Sequence, residues 1–240
     1  MFLDLSNKNA LVTGARGLAM GMAQGLSQAG AKVVLISRSI PEDCPFPVVL
    51  ADLSNRAELA RGYSDAKVLL NGRVDILVNC AGIQYRQECE DFSIENWDRI
   101  LEVNLTSVFL LCQMAGKEML ARRSGKIINI ASMITFFGGI RIPAYAASKG
   151  GIGQLTKALA VAWAGRGVNV NALAPGYMDT KMNTSLLEDK ERSASILSRI
   201  PAHRWGTPED MAGPCVFLAS SASDYINGAI IPVDGGYLCC

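Results

Sequence analysis

Tyr145 and Lys149 are the pair of side chains in this 240-residue sequence whose chemistry is easiest to name. They stand four positions apart at the start of a helical stretch, so both lie on one helix face and can touch. A phenol has an ordinary pKa of about 10, and an adjacent ammonium favours the phenolate and lowers that pKa. Tyr145 could then exchange a proton with an alcohol or ketone oxygen. Taken alone, the pair is also compatible with a surface contact.

Ser132 and Asn104 extend this chemistry. Ser132 follows the apolar run KIINIA, at the expected carboxyl end of a sheet, where its hydroxyl could hydrogen-bond the same oxygen. Asn104 interrupts the apolar helical stretch LEVNLTSVFLL, where an amide needs a partner and could extend a proton path. Each also has a plain structural explanation, a helix cap for Ser132 and a satisfied core amide for Asn104. The combination favours an acid–base centre.

A second set of residues predicts a nucleotide site. Gly14 and Gly17 lie between the first apolar run and a helical stretch, where the backbone could turn against a pyrophosphate at the helix N-terminus. An ordinary strand-to-helix turn is the alternative. The second run ends in Ser37-Arg38, where an NAD(H) site calls for an acid, and together with Arg16 this favours the 2′-phosphate of NADP(H) over NAD(H). Either arginine alone would be better explained as a solvated cation.

Seven β-branched, mostly apolar runs and the helical stretches between them must position these residues. The runs predict strands at 10–13, 33–37, 48–52, 75–79, 126–131, 168–174 and 229–233. Helices are predicted at 20–28, 56–70, 94–116 with a continuation to 122, 145–164 and 208–220. The pattern is typical of a doubly wound, Rossmann-type α/β fold, a seven-stranded parallel sheet with helices on both faces. Pro232 indicates an edge strand, and residues 39–47 (SIPEDCPFP) predict a loop without a helix.

Composition excludes several classes of function. Lys and Arg total 23 against 22 Asp and Glu, without a basic block, which disfavours nucleic-acid binding. One histidine and seven cysteines without a C-x-x-C pair disfavour a metal site and indicate free thiols in a reducing, cytoplasmic compartment. No apolar run approaches the roughly 18 residues of a spanning helix, so no membrane association is expected. We expect one domain over residues 1–240, with 187–192 (LEDKER) as a solvated helical face.

The sequence resembles the short-chain dehydrogenase/reductase family of single-domain length, over essentially the whole chain. The resemblance rests on motifs in a fixed order: TGARGLA at 13–19, Asp52-Leu53, NCAG at 79–82, Asn104, Ser132, Tyr145-x-x-x-Lys149, Pro175-Gly176 and VDGG at 233–236. It implies a catalytic tetrad of Asn104, Ser132, Tyr145 and Lys149, with Tyr145 as the acid–base group. Lys149 would lower the Tyr145 pKa and hold the nicotinamide ribose. The implied cofactor contacts are Gly14, Arg16, Gly17, Leu18, Ser37, Arg38, Asp52, Leu53, Asn79, Ala81, Gly82, Tyr145, Lys149, Pro175, Gly176 and Thr180.

Within the family, KIINIASM, GGIRIPAYAASK, APGYM and the stretch from RIPAHRWG to VDGG look like the gluconate-type sugar-acid dehydrogenases. This likeness implies oxidoreduction of a secondary alcohol or ketone of a sugar acid, with substrate loops at 83–90, 133–144 and 177–205. The expected substrate residues are Gln84, Arg86, Arg141 and Met182. A guanidinium there could pair with a carboxylate, although Arg141 could equally form an ion pair or a subunit contact.

Alternatives and departures remain. A reductase of less polar ketones would use Phe136, Phe137 and Trp205, which core packing also explains, and a non-catalytic cofactor-binding homologue is a further possibility.

The glycine turn is one residue short before Gly17 and has Ala19 where the family has a third glycine. In the family the helix that contains Gly150, Gly151 and Gly153 packs at a subunit interface, which implies a homotetramer or homodimer. A prenylation site at Cys239-Cys240 is weakly indicated.

Overall fold

The computed structural model describes residues 2–239, and a seven-stranded parallel sheet forms its centre. The strands are β1 Asn9–Thr13, β2 Lys32–Ser37, β3 Val48–Leu50, β4 Ile76–Asn79, β5 Gly125–Ile130, β6 Val168–Pro175 and β7 Ile230–Val233. Their order is β3-β2-β1-β4-β5-β6-β7, so the chain reverses direction across the sheet between β1 and β4. Each strand overlaps its predicted run, and β7, which contains Pro232, is an edge strand as predicted.

Both faces of the sheet are covered, which explains why the strands are apolar almost throughout. Successive residues alternate between two buried clusters: Leu11 and Leu77 pack on one face, and Val12 and Val78 on the other. The first cluster includes residues of the helices at 56–69, 107–121 and 143–163. The second includes residues of the helices at 18–28 and 212–219. The helices are α1 Leu18–Gln28, α2 Arg56–Leu69, α3 Ile94–Leu101, α4 Ser107–Ala121, α5 Pro143–Trp163, α6 Thr184–Glu188, α7 Lys190–Leu197 and α8 Ala212–Ala219.

Three predicted helices differ in detail. The stretch at 94–122 is interrupted by a π-helical turn, Glu102–Thr106, in which the Ser107 N–H reaches back five residues to the Glu102 carbonyl. The helix at 208–220 begins as a 3₁₀ turn, Pro208–Met211, before α8. The predicted helical face at 187–192 is broken, because Asp189 ends α6 and caps α7 by accepting the Arg192 N–H at 3.0 Å.

The connection between β2 and β3 contains no helix, as predicted for residues 39–47. Strand β3 is accordingly short and lies at the sheet edge. Within residues 2–239, no helix has the length and apolar character needed to cross a membrane.

Helix α1 owes its position to two glycines that face α8 and the turn before it. A Cβ at Gly21 would collide with the Pro208 carbonyl, and a Cβ at Gly25 would lie 2.7 Å from the Ala212 Cβ. The helix therefore approaches backbone directly, at positions where any side chain would displace it.

We expect Gly21→Ala to lower the free energy of unfolding by about 1–3 kcal/mol, although alanine is the better helix former. The collision with Pro208 outweighs the gain in helix propensity. Gly213→Ala is the matched control, because a Cβ at Gly213 of α8 would meet no atom within 4 Å. Urea unfolding of the two variants checks this, and equal stability of both would contradict it.

Candidate active site

A cleft of about 760 Å³ opens at the carboxyl ends of the strands where the strand order reverses. This is the place at which open parallel sheets bind ligands. Most of the predicted cofactor residues line it: Gly14, Arg16, Gly17, Leu18, Ser37, Arg38, Asp52, Leu53, Ala81, Gly82 and Thr180. Met182, predicted as a substrate residue, lines it as well. Ala15, Ile36, Cys80, Ile83, Val103 and Asp179 also line the cleft and were not predicted.

The glycine turn has the backbone conformation that the sequence predicts. Gly14 and Gly17 have φ values of +95° and +53°, the left-handed region that glycine adopts without strain. No side chain caps α1, so the first N–H groups of that helix are available to an anion. The Ala19 side chain is 2% exposed and lies against Gly14, where a Cβ would approach it to 3.0 Å. The methyl group therefore fills the contact beneath the turn.

Two guanidiniums stand beside this turn without partners. Within the part of the chain that the structure describes, Arg16 and Arg38 are exposed and make no ion pair or hydrogen bond. The nearby Asp52 carboxyl has a lowered pKa, chiefly because it accepts the Ser54 N–H and more weakly because Arg38 is close. Both arginines can therefore bind a phosphate without breaking an existing contact.

Five predicted cofactor residues are not among those that line the cleft: Asn79, Tyr145, Lys149, Pro175 and Gly176. The Asn79 side chain points into the core, where it donates to Asn129 Oδ1 at 2.9 Å and to Cys112 Sγ at 3.3 Å. Pro175 is the buried last residue of β6, and Gly176 bonds to the Val233 carbonyl at 2.9 Å. The Asn79 side chain therefore points into the core, because the buried amide pairs with its neighbours across the sheet.

Thr13 was missed, although it begins the TGARGLA motif. Its Oγ1 accepts the N–H groups of Cys80 at 2.9 Å and of Ala81 at 3.0 Å. Thr13 thereby holds the turn after β4 against the turn after β1, so that NCAG and the glycine turn form one wall. The sequence signal that could have identified this role is a threonine hydroxyl directly before the glycine turn.

Tyr145 and Lys149 lie in the first turns of α5, on one face as predicted. Lys149 Nζ is 5.7 Å from the centre of the Tyr145 ring and donates to the Ile130 carbonyl at 2.6 Å. Because Lys149 is only 5% exposed, its ammonium has little contact with water and relies on the Ile130 carbonyl as its hydrogen-bond acceptor. The bond joins α5 to the end of β5, two residues before Ser132.

Ser132 is a cap, as one of the two sequence interpretations predicts, and it also lies beside Tyr145. It caps the 3₁₀ turn Met133–Thr135, with its Oγ accepting the Ile134 N–H at 3.3 Å. Its hydroxyl also hydrogen-bonds Tyr145. Since one lone pair is occupied by Ile134, the hydroxyl proton is free to point into the site.

Asn104 lies in the π-helical turn and is 1% exposed. Its Oδ1 accepts the Ile83 N–H at 2.8 Å, and its Nδ2 donates to the Ile83 carbonyl at 2.9 Å and to Ser148 Oγ at 3.2 Å. Ser148 Oγ in turn donates to the Tyr145 carbonyl at 2.8 Å. Asn104 is thus a satisfied buried amide that also ties the loop after β4 to α5.

Comparison with known proteins identifies this arrangement. Residues 12–238 match the family model described as enoyl-(acyl carrier protein) reductase. A 2-dehydro-3-deoxy-D-gluconate 5-dehydrogenase from Pseudoalteromonas atlantica is 49% identical, with 98% of this chain and 97% of that protein covered. The enzyme of the same description from Escherichia coli is 48% identical, with 98% and 97% covered. The chain belongs to the short-chain dehydrogenase/reductase family.

A solved structure supports the assignment to this family of oxidoreductases. The gluconate 5-dehydrogenase from Burkholderia cenocepacia, crystallised with NADP and tartrate, superposes with a TM-score of 0.93 at 36% identity. The comparison covers 100% of this chain and 98% of that one. The predicted fold and reaction class of this short-chain dehydrogenase/reductase are confirmed.

Burial dominates the electrostatics of the acid–base pair. Burial raises the pKa of Tyr145, and the hydrogen bond from Ser132 partly opposes that rise. Burial lowers the pKa of Lys149 to about 8. The expected lowering of the Tyr145 pKa by Lys149 is therefore not the leading effect in this chain, because both groups are removed from water and the ammonium is directed at Ile130.

The predicted substrate arginines differ from each other. Arg141 Nε forms an ion pair with Glu88 Oε1 at 3.0 Å, so the alternative explanation for this residue holds. Arg86 is half-buried and makes no ion pair or hydrogen bond with any residue from 2 to 239. Burial lowers the pKa of the Arg86 guanidinium, and the nearby Arg192 charge lowers it further. A bound anion could therefore pair with the half-buried Arg86 guanidinium. Gln84 lies on the same loop.

We expect Lys149→Met to raise the free energy of unfolding near pH 7 by about 1–3 kcal/mol while abolishing turnover. The lysine pKa is about 8 in the folded chain against 10.5 ordinarily. Between these values the unfolded chain holds a proton that the folded chain has released, so the wild type gains stability as pH rises.

The stability gap between Lys149→Met and the wild type should therefore narrow from about pH 8 to pH 10.5, as measured by urea unfolding across that range. Lys157→Met removes an exposed lysine from the same helix and serves as the control. A pH-independent gap would contradict the expectation.

Proposed function

We propose that this protein is an NADP(H)-dependent oxidoreductase that interconverts a secondary alcohol and a ketone on a gluconate-type sugar acid. The observation that carries the proposal is the cluster of Ser132, Tyr145 and Lys149 beside a nucleotide-sized cleft: Lys149 Nζ lies 4.0 Å from the position that a Cβ would take at Gly82, a residue of the cleft wall. The names of the similar proteins support the substrate class. The chain acts as one domain, with loops 83–90, 133–144 and 177–205 around the substrate.

The residues of the cleft fit NADP(H). The left-handed turn at Gly14 and Gly17 and the uncapped N-terminus of α1 form a cradle of N–H groups for a pyrophosphate. Arg16 and Arg38 have guanidiniums free for a 2′-phosphate, and the cleft has no acid at position 38 that would repel one. When bound, the nicotinamide supplies or accepts the hydride of the reaction.

The chain itself handles the proton. Tyr145 gives its hydroxyl proton to the ketone oxygen during reduction and takes it back during alcohol oxidation. Ser132 donates its free hydroxyl proton to the same oxygen, because its lone pair is held by Ile134. Lys149 stands 5.7 Å from the phenol ring and stabilises the phenolate that forms. Lys149 is 5% exposed, so its ammonium is shielded from water, which strengthens its interaction with the phenolate.

Arg86 supports an acidic rather than an apolar substrate. A half-buried guanidinium without a partner favours a carboxylate, which it can bind through two parallel hydrogen bonds. The aromatics of the rival hypothesis have other contacts: Trp205 packs on Tyr177 at 5.5 Å, and Phe137 packs on Tyr237 at 6.0 Å. Trp205 and Phe137 therefore pack on tyrosines, whereas Phe136 is 49% exposed.

We also propose that the chain assembles as a homodimer or homotetramer through the outer face of α5. Val161 is 89% exposed on that face, and a Cβ at Gly150 would meet no atom within 4 Å. Gly151 differs, because the absence of a side chain there has a cause within the chain: a Cβ at Gly151 would lie 2.9 Å from Leu105 Cδ2. The described cysteines are free thiols, which supports a cytoplasmic location.

The test of the proposed function follows NADPH absorbance with 5-keto-D-gluconate, and NADP⁺ reduction with D-gluconate and 2-dehydro-3-deoxy-D-gluconate. A simple apolar ketone such as cyclohexanone is the counter-substrate. We expect turnover with a sugar acid, and Tyr145→Phe should lower kcat at least about a thousandfold because the proton donor is gone, while NADPH binding is unchanged. Turnover of cyclohexanone alone would favour the rival ketone reductase, and an active Tyr145→Phe variant would overturn the mechanism.

Cofactor preference is tested at Arg38. We expect Arg38→Asp to lower the ratio of kcat/KM for NADPH over NADH by about a hundredfold, because a carboxylate repels the 2′-phosphate and can bind the free ribose hydroxyls. Arg166→Asp makes the same charge change before β6, at the opposite end of the sheet, and should leave the ratio unchanged. An unchanged ratio in Arg38→Asp would remove the basis for NADP(H).

A further inference from the structure

Thr135 joins the two catalytic segments through a single hydroxyl. Its Oγ1 accepts the N–H of Ser132 at 3.3 Å and donates to the Lys149 carbonyl at 2.9 Å. Ser132 lies just after β5, and Lys149 lies in α5, 17 positions later along the chain. The Thr135 backbone N–H also bonds to the Ser132 carbonyl at 2.9 Å, so the 3₁₀ turn is closed on itself.

The same residue makes a close contact with a glycine of α5. A Cβ at Gly153 would lie 2.6 Å from Thr135 Cγ2, and the next neighbour is the flexible end of Ile230 at 3.1 Å. Gly153 is one helical turn after Lys149, so the Thr135 methyl occupies the space that a side chain at 153 would take. A glycine inside a helix costs about 1 kcal/mol relative to alanine. This contact accounts for its presence.

We propose that Thr135 is a positioning residue that fixes Ser132 relative to Lys149 and Tyr145, and that Gly153 is a glycine in order to admit the Thr135 methyl. The inference rests on the proposed roles of Ser132, Tyr145 and Lys149. It adds a residue that contacts neither substrate nor cofactor and acts only through its neighbours.

Ser132 depends on the turn Met133–Thr135 for its orientation. Its Oγ is oriented by Ile134, whose own position depends on the turn that Thr135 closes. Two further bonds join these segments: the one from Lys149 Nζ to Ile130 fixes the end of β5, and the one between Ser132 and Tyr145 involves only side chains, so neither holds the backbone of the turn. Without the Thr135 hydroxyl, the turn can move away from α5, and the Ser132 proton no longer points at Tyr145.

The first arm of the test compares Thr135→Val with Thr135→Ser, using 5-keto-D-gluconate and NADPH. Valine keeps the shape and removes the hydroxyl, and we expect kcat to fall about tenfold or more with the KM for NADPH unchanged. Serine keeps the hydroxyl and should retain kcat within about threefold. Thr156→Val removes a comparable buried hydroxyl of α5, bonded to Ile152 and Asn129, and should lower stability without changing kcat.

A pH profile gives a readout that a purely structural role would not move. The hydrogen bond from Ser132 lowers the Tyr145 pKa, so loosening Ser132 raises it. The high-pH limb of the reduction, where the phenol loses its proton, should therefore move to higher pH in Thr135→Val and stay in place in Thr156→Val.

The second arm uses the contact with Gly153. We expect Gly153→Ala to lower kcat as Thr135→Val does, because the alanine methyl displaces Thr135, while the better helix propensity of alanine offsets part of the loss of folding stability. Thr135→Ser combined with Gly153→Ala should restore kcat to the level of Thr135→Ser, since serine lacks Cγ2 and keeps the hydroxyl. The Gly153→Ala experiment tests the proposal even if the Thr135→Val variant does not fold.

Two results would overturn the inference: kcat of Thr135→Val within twofold of the wild type, or no recovery of Gly153→Ala by Thr135→Ser. In either case an active wild type with an inactive Tyr145→Phe variant would leave the proposed function intact. Full activity of Tyr145→Phe would instead remove the proposed function, and this inference with it.

Discussion

The bond between Lys149 Nζ and the Ile130 carbonyl, at 2.6 Å, is the interaction on which the rest of the site depends. A buried ammonium must find an acceptor, and here the acceptor is the backbone at the end of a central strand. The bond fixes the depth and rotation of the first turns of α5 against β5. Once these turns are placed, Ser148 can accept the bond from Asn104.

Close backbone approach provides the precision that the chemistry needs. Gly21 brings α1 onto the turn before α8, and Gly153 brings the β5 turn onto α5. In both places the helix has glycine instead of alanine, although alanine is the better helix former. The reason is that a Cβ there would collide with the neighbouring segment. The π-helical turn has a related effect, since its wider turn presents Asn104 to the backbone of Ile83. Local irregularities thus occur where the site is positioned.

Much of this could be predicted from the sequence because the strands are buried on both faces and the motifs have fixed spacings. Pro232 correctly indicated the edge strand, and the run at 39–47 was too short for a helix. The partners of Asn79 and Arg141 could not be predicted, because they lie far away in the chain. Asn79 pairs with Asn129 and Arg141 pairs with Glu88, and no local pattern encodes either pairing.

The two ends of the cleft are built differently, which explains where this sequence departs from its family. The cofactor end relies on backbone N–H groups and on exposed guanidiniums that can adjust, so a methyl at Ala19 and a β2–β3 connection without a helix leave its turn intact. The chemical end relies on buried side chains with every donor directed at one acceptor, as at Asn104. A shift of even a few tenths of an ångström there leaves a buried polar group unpaired, which is expensive in a dry site. We therefore expect sequence change to be tolerated more readily beside the glycine turn than beside Ser132 and Tyr145.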